Sequence, residues 1–205
     1  MELYKYKSYE HYKQEQTDAN IRKIETVWVD ENSLIEVLNY IDDKLLVKPK
    51  FILCHGTRRG EEQRIIKNYY DFKGHKVEVL GTEISHTAKD FENTIQWDFH
   101  ETKQSWINNT DIIYSNSFDH SYKPKECLDI WMSCLNENGV CILEYSTHSD
   151  HKSNSTDPFG ASYEEYIELI SKKYEIVHVI NNKNIPESNL PVLQGKRHYF
   201  IIKKK

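Results

Sequence analysis

From Lys50 onward the chain alternates short apolar runs with amphipathic stretches, and no other feature of the sequence restricts its fold as much. Residues 51–54, 77–81, 94–97, 111–115, 139–145, 174–180 and 197–203 have the length and composition of strands, while residues 60–72, 122–136 and 161–172 carry a helical period. Strands that alternate with helices pair in parallel, because each helix supplies the crossover that a parallel neighbour requires. The last two runs, "YEIVHVI" and "RHYFIIKK", are joined by a polar, proline-containing loop with no helical period, so they are expected to form an antiparallel hairpin. The expected fold is α/β: a doubly wound, seven-stranded, mostly parallel sheet with an antiparallel C-terminal hairpin.

Residues 1–48 read differently. They contain no glycine or proline, and apolar residues recur at helical intervals in two sets. Ile21, Ile24, Val27 and Trp28 form one set, and Leu34, Val37, Leu38, Ile41, Leu45 and Leu46 the other, with Asp30 to Ser33 as break and cap. An N-terminal helical extension over 1–48, preceding a main domain over 49–205, is the expected organisation. A length of 205 residues suits one substantial core.

Partners are narrowed by charge and cysteine usage. A net charge of −5 with Lys and Glu interspersed provides no basic field for capturing nucleic acid, and no apolar run reaches membrane-spanning length. The four cysteines, Cys54, Cys127, Cys134 and Cys141, form no CxxC pair and fit buried free thiols in a reducing compartment. The chain reads as a soluble cytoplasmic protein, a monomer or a homodimer, whose partner is a small molecule.

In a doubly wound sheet, ligands sit beyond the carboxyl ends of the strands, and the turn after the first strand approaches them closely. That turn is "CHGTRRG", in which Gly56 and Gly60 let the backbone bend and the next helix offers free amide hydrogens. It has neither the full GxGxxG pattern nor the lysine and hydroxyl of a phosphate-binding loop. Glu83 ends the second strand at the distance where an acid accepts from a ribose diol. Asp98, between Trp97 and Phe99, ends the third, and an acid among aromatic rings suits an adenine. Asn116, Phe118, Asp119 and His120 end the fourth. Each has a bland reading: Glu83 could cap the segment that begins near Ser85, and Asp98 could be a solvated strand-end acid. Their gathering at one sheet edge favours a ligand.

These motifs resemble the class I, Rossmann-like S-adenosylmethionine-dependent methyltransferases. "ILCHGTRRG" is similar to the family's first motif, "GTEIS" to its ribose-binding acid, "QWDF" to its adenine-binding acid, "DIIYSNSFDH" to its fourth strand and "NGVCILEYS" to its fifth. The resemblance implies S-adenosylmethionine as cofactor, held by His55, Gly56, Thr57, Arg58, Gly60 and Glu61 of the first loop, by Glu83 and Ile84, by Asp98 and Phe99, and by Asn116 and Phe118 near the sulfonium or the acceptor. Cys54 stands where the family has an acid, and Arg58 where it has a glycine. Arg58 or Arg59 would pair the donor's carboxylate, and Glu61 or Glu62 its ammonium.

Methyl transfer from a sulfonium is an in-line displacement governed by positioning, so no nucleophilic residue is expected. An oxygen acceptor needs a base, for which Asp119 and His120 are the candidates. His148, Asp150 and His151 have ligand chemistry, but their Ser, Asn and Asp neighbours mark a loop on the acceptor side, so no metal is expected. Ser162 to Glu165 fits a capping box. The implied function is methyl transfer to a small or medium acceptor, a sugar or another metabolite. The alternative is a noncatalytic binder of S-adenosylmethionine or a nucleotide, and a nicotinamide-dependent oxidoreductase is a third reading.

Overall fold

The computed structural model describes residues 1–147, 152–182 and 196–205. In chain order the elements are β1 (Glu2–Leu3), α1 (Tyr9–Arg22), α2 (Glu31–Tyr40), β2 (Phe51–His55), α3 (Glu61–Phe72), β3 (Glu78–Glu83), β4 (Thr94–Gln96), β5 (Thr110–Ser115), α4 (Pro124–Cys134), β6 (Leu135–Ser146), β7 (Phe159–Gly160), α5 (Tyr163–Ser171), β8 (Tyr174–Asn182) and β9 (Arg197–Lys204). A single π-helical turn, Ile41–Leu45, extends α2. Short 3₁₀ turns follow β3 at His86–Asp90 and β5 at Phe118–His120.

Seven strands form one sheet in the order β4-β3-β2-β5-β6-β9-β8. Neighbours from β4 through β6 are parallel, and β9 lies antiparallel between β6 and β8, so it alone runs against the other six. The order reverses between β2 and β5, which makes their carboxyl ends the switch point where a crevice opens.

Period-two alternation feeds both faces of this sheet. Leu53, Ile113, Cys141, Leu143 and Phe200 pack with Leu128, Trp131 and Met132 of α4 and Leu169 and Ile170 of α5. Their chain neighbours Ile52, Cys54, Ile112, Tyr114, Val140, Ile142 and Ile201 pack with Leu34, Val37 and Leu38 of α2 and Ile65, Ile66 and Tyr70 of α3. Apolar burial on both faces stabilises the sheet by about 25 cal/mol per Å² removed from water. All four cysteines are buried and unpaired by disulfides.

The caps are chemically explicit. Asp30 accepts from the Ser33 amide (2.8 Å) at the start of α2. At α5 the Ser162 hydroxyl accepts from the Glu165 amide (3.3 Å), and the Glu165 carboxylate accepts from the Ser162 amide (2.9 Å), a complete capping box.

The first N-terminal helix lies elsewhere than the apolar period suggests. Helix α1 ends at Arg22, residues 26–30 carry no helix, and Ile21 and Val27 are exposed. The buried residues of α1 are Tyr12, Gln16, Ala19 and Asn20. A helix whose inward face is half polar gives little hydrophobic period to read. Its entry is fixed by β1, which pairs antiparallel with β7 through Glu2↔Gly160 and Leu3↔Phe159. Strand β6 starts at Leu135, before the expected 139, because α4 stops at Cys134.

Candidate functional site

Beyond β2 the chain turns sharply. Gly56 (φ 71°), Arg58 (φ 47°) and Gly60 (φ 80°) all adopt left-handed backbone. A Cβ on Gly56 would lie 2.6 Å from Cβ of Ser117, so the turn and the end of β5 approach as closely as a glycine permits. The Ser117 hydroxyl ties the two by donating to the Gly56 carbonyl (3.0 Å).

Glu83 closes the turn from β3. Its carboxylate accepts from the Arg58 amide (3.0 Å) and from the Ser85 amide (2.9 Å). Burial pushes its pKa up, opposed by these two backbone donors. The capping role toward Ser85 and a place in the cavity wall therefore coexist in one residue.

Asp98 is held from both sides. One oxygen accepts from the backbone amide of His100 (2.9 Å) and meets its Nδ1 (2.7 Å), while the other accepts from the Tyr9 hydroxyl of α1 (2.8 Å). Burial works to raise its pKa, but the His100 contacts and the Tyr9 hydroxyl outweigh it and hold the group below the ordinary aspartate value. His100 in turn reaches the Ser121 hydroxyl through Nε2 (2.8 Å).

Two neighbouring cavities occupy this edge. The smaller, about 50 Å³, is walled by Gly56, Arg58, Glu83, Ile84, Asp98 and Phe99 and roofed by Tyr12, Gln16, Ala19 and Asn20 of α1. The larger, about 310 Å³, is walled by Thr57, Glu61, Glu62, Asn116, Asp119 and Glu144, among others. Gly56, Arg58, Ser117, His120 and Lys23 border both.

Three of the sequence candidates lie outside these walls. The His55 side chain is buried in the core, stacked on Trp131 at 4.7 Å with Nδ1 against the Thr82 hydroxyl (2.8 Å). Burial, with a smaller contribution from His100, drops its pKa to about 3. Phe118 turns inward and packs on Trp131, Phe159 and Tyr166. Gly60 serves as the N-cap residue of α3. In both side-chain cases the sheet edge is correct, but local backbone direction sends the ring toward the α4–α5 layer. Arg58 and Arg59 point their guanidinium groups at the Thr26 carbonyl and the Glu25 carboxylate (both 2.9 Å).

His120 is held in place from α1. The Gln16 amide donates through Nε2 to the Thr156 carbonyl (3.0 Å), which orients its Oε1 toward His120 Nδ1 (2.8 Å). Nε2, on the other side of the ring, lies 3.7 Å from Asp157 and 3.9 Å from Asp119. Asp119, His120 and Asp157 bring one ligand atom each within 4.8 Å of one another, the set among the described residues that could hold a metal ion. All three are only partly buried, and such exposed acidic groups are common without an ion. His148, Asp150 and His151 lie outside the described residues.

Sequence reasoning missed the residues that α1 contributes, as well as His100, Ser117, Glu144 and Asp157. They converge only through the fold, and the sequence signals for α1 are its N-cap Ser8 and its pairs of Tyr and Gln.

The fold is the Rossmann-like one shared by class I methyltransferases among the solved structures it resembles. The 1,6-didemethyltoxoflavin-N1-methyltransferase of Burkholderia thailandensis, solved with 1,6-didemethyltoxoflavin and S-adenosylhomocysteine, aligns at TM-score 0.70 and 14% identity over 98% of this chain and 93% of that one. The geranyl diphosphate C-methyltransferase of Streptomyces coelicolor A3(2), solved with Mg2+, geranyl diphosphate and S-adenosyl-L-homocysteine, aligns at 0.64 and 8% over 92% and 84%. The [4+2]-cyclase SpnF aligns at 0.63 and 8% over 93% of each chain. No protein-family profile matches the sequence, and no curated protein is significantly similar to it. At these identities the likeness defines a fold, and function has to be argued from the site. Among the described residues, no helix is long and apolar enough to cross a membrane.

Proposed function

We propose that the protein is an S-adenosylmethionine-dependent methyltransferase acting on a small or medium acceptor. The observation that carries this reading is the convergence of Gly56, Glu83 and Asp98, from three successive strand ends, on one cavity that shares part of its wall with a second, larger one. Glu83 and Asp98 are the acids for ribose and adenine, Gly56 borders both cavities that the donor would occupy, and Asn116 faces its methionyl end. The donor, when bound, supplies a methyl group already activated on a sulfonium.

The chain's own residues then position and deprotonate. The larger cavity, bordered by Tyr145, Phe159 and Tyr166, takes the acceptor. His120 is the residue that receives the acceptor's proton, with Asp119 and Asp157 near its Nε2 to stabilise the imidazolium. Helix α1 excludes water from the adenosyl side. Its roof leaves about 50 Å³ there, well short of the roughly 300 Å³ at the low end of ligand pockets. Donor entry therefore requires α1 to swing away and close again.

The occupied adenosyl side, together with Cys54 and Arg58 in the first loop, supports a second reading, a noncatalytic binder of the same ligand. Calorimetric titration with S-adenosylmethionine and S-adenosylhomocysteine, repeated on Glu83→Ala and with NAD, is the test. Micromolar binding of the first two that is lost in the variant supports the donor site, and an acceptor screen then separates enzyme from binder. Absence of binding, or binding of NAD alone, overturns both readings.

A further inference from the structure

Glu144, near the end of β6, is buried and yet borders the larger cavity. Its neighbour Leu143 pairs with Ser115, so Glu144 comes level with Asn116 at the strand ends. Its Oε2 accepts from the Tyr114 hydroxyl (2.7 Å). Its Oε1 faces Nη1 of Arg197 at 3.3 Å, but neither atom makes an aligned hydrogen bond, and the hydroxyl of Tyr199, the residue opposite on β9, is likewise unpartnered. Burial raises the pKa of Glu144, while Arg197 and the two tyrosine hydroxyls pull against that rise. A buried carboxylate oxygen with no hydrogen bond is costly, because its desolvation is left partly uncompensated. Oε1 therefore has an open place for a donor that arrives through the cavity.

The charges around the cavity decide what kind of donor fits. Arg58 and Arg59 border it, but their guanidinium groups donate to the Thr26 carbonyl and the Glu25 carboxylate (both 2.9 Å). Lys23 and Lys152 also border it and are exposed. Arg197 has open donors, but it packs against the Trp28 ring (5.6 Å to the centroid) and is not one of the residues that border the cavity. The buried charged side chains in the wall that keep an open atom are both carboxylates: Glu144, and Glu62, whose pKa Glu144 raises.

We infer that the acceptor is a basic nitrogen compound, an amine or an amidine, anchored by an N–H group on Glu144 Oε1. The inference rests on the methyltransferase reading above: the resemblance gives the donor's ammonium to Glu61 or Glu62, which leaves Glu144 as the buried carboxylate for the second substrate. A protonated nitrogen adds Coulombic attraction to the carboxylates that a hydroxyl in the same place lacks. The anchoring nitrogen holds its proton and has no lone pair to offer, so the methyl group goes to a different atom of the acceptor. Trp28, Phe159 and Tyr166 of the same wall supply apolar contact for the rest of the molecule.

Benzamidine, benzyl alcohol and benzoate are probes of similar size and different charge. Each is titrated by calorimetry into wild type, with and without saturating S-adenosylhomocysteine. Benzamidine should bind roughly 10-fold tighter than benzyl alcohol or more, with benzoate the weakest. Glu144→Gln should weaken benzamidine by roughly 10- to 100-fold, the value of a charge-assisted hydrogen bond, and benzyl alcohol far less. Because that variant leaves Arg197 without its counter-charge, Glu144→Gln/Arg197→Met repeats the comparison with both charges removed and should show the same loss, a cooperative urea transition verifying that each variant is folded. A preference for benzoate or benzyl alcohol, equal binding of the three, no binding of any, or variants that lose nothing or lose all probes equally would overturn the inference. S-adenosylhomocysteine binding to wild type separates the two failures: if it persists, only the acceptor assignment falls, and if it is absent, the donor reading falls with it.

Discussion

Replacing Gly56 by alanine tests the packing on which the whole site depends. The added Cβ meets Cβ of Ser117 at 2.6 Å and its hydroxyl oxygen at 3.0 Å, with Phe99 at 3.5 Å behind them. Overlap with a residue anchored to a strand end costs about 1–3 kcal/mol through forced displacement. The left-handed φ of 71° adds about 1–2 kcal/mol for any L side chain. Displacing Ser117 also strains its hydrogen bond to the Gly56 carbonyl. We expect Gly56→Ala to lower unfolding free energy by about 2–4 kcal/mol, measured by urea denaturation. Because the overlap is with Ser117, the double variant Gly56→Ala/Ser117→Gly should recover part of the loss, a favourable coupling of about 1 kcal/mol. A single variant within about 0.5 kcal/mol of wild type, or a double-mutant cycle without coupling, would refute this account of the turn.

Tyr9→Phe should tighten S-adenosylhomocysteine binding severalfold by calorimetry, since it releases an Asp98 oxygen and loosens α1; weaker binding would mean that α1 helps hold the ligand. Glu62→Gln should have a pH-dependent effect on stability. An acid whose folded pKa is raised from 4.5 to about 7 binds more protons when folded, so its contribution is most favourable below the unfolded value and is lost as pH rises through the folded one. The variant should therefore gain on wild type between pH 4.5 and 7 in denaturation series, by up to on the order of 3 kcal/mol. His55 has the opposite sign: its folded pKa near 3 means that wild type loses stability as pH falls from the unfolded value near 6.5, a loss that His55→Phe should diminish in acid titrations of stability. Arg197 lies 3.3 Å from Glu144 as an ion pair without hydrogen-bond alignment, and both are buried. Arg197→Met should cost about 3–5 kcal/mol by leaving Glu144 unpaired, with much of that recovered in thermal melts when Glu144→Gln is added.

The sheet was legible because each strand writes its two faces into alternate residues. Ile52 and Leu53, Ile112 and Ile113, and Tyr199 and Phe200 each divide between the two layers as a period of two requires. Caps at Asp30 and Ser162 were legible for the same local reason, since donor and acceptor lie within three residues of each other. The acids Glu83 and Asp98 could be placed at the sheet edge by counting from strand ends. Tertiary structure alone decided what surrounds them: Tyr9 reaches Asp98 across 89 positions, Gln16 reaches His120 across 104, and Asn116 reaches Glu62 across 54. It also turned His55 and Phe118 into core residues and closed α1 over the site through a face that is half polar. Periodicity records which side of an element is buried, because neighbours in the chain share that element. A ligand cavity is bounded by side chains that share only a location, and their meeting depends on the path of every element between them.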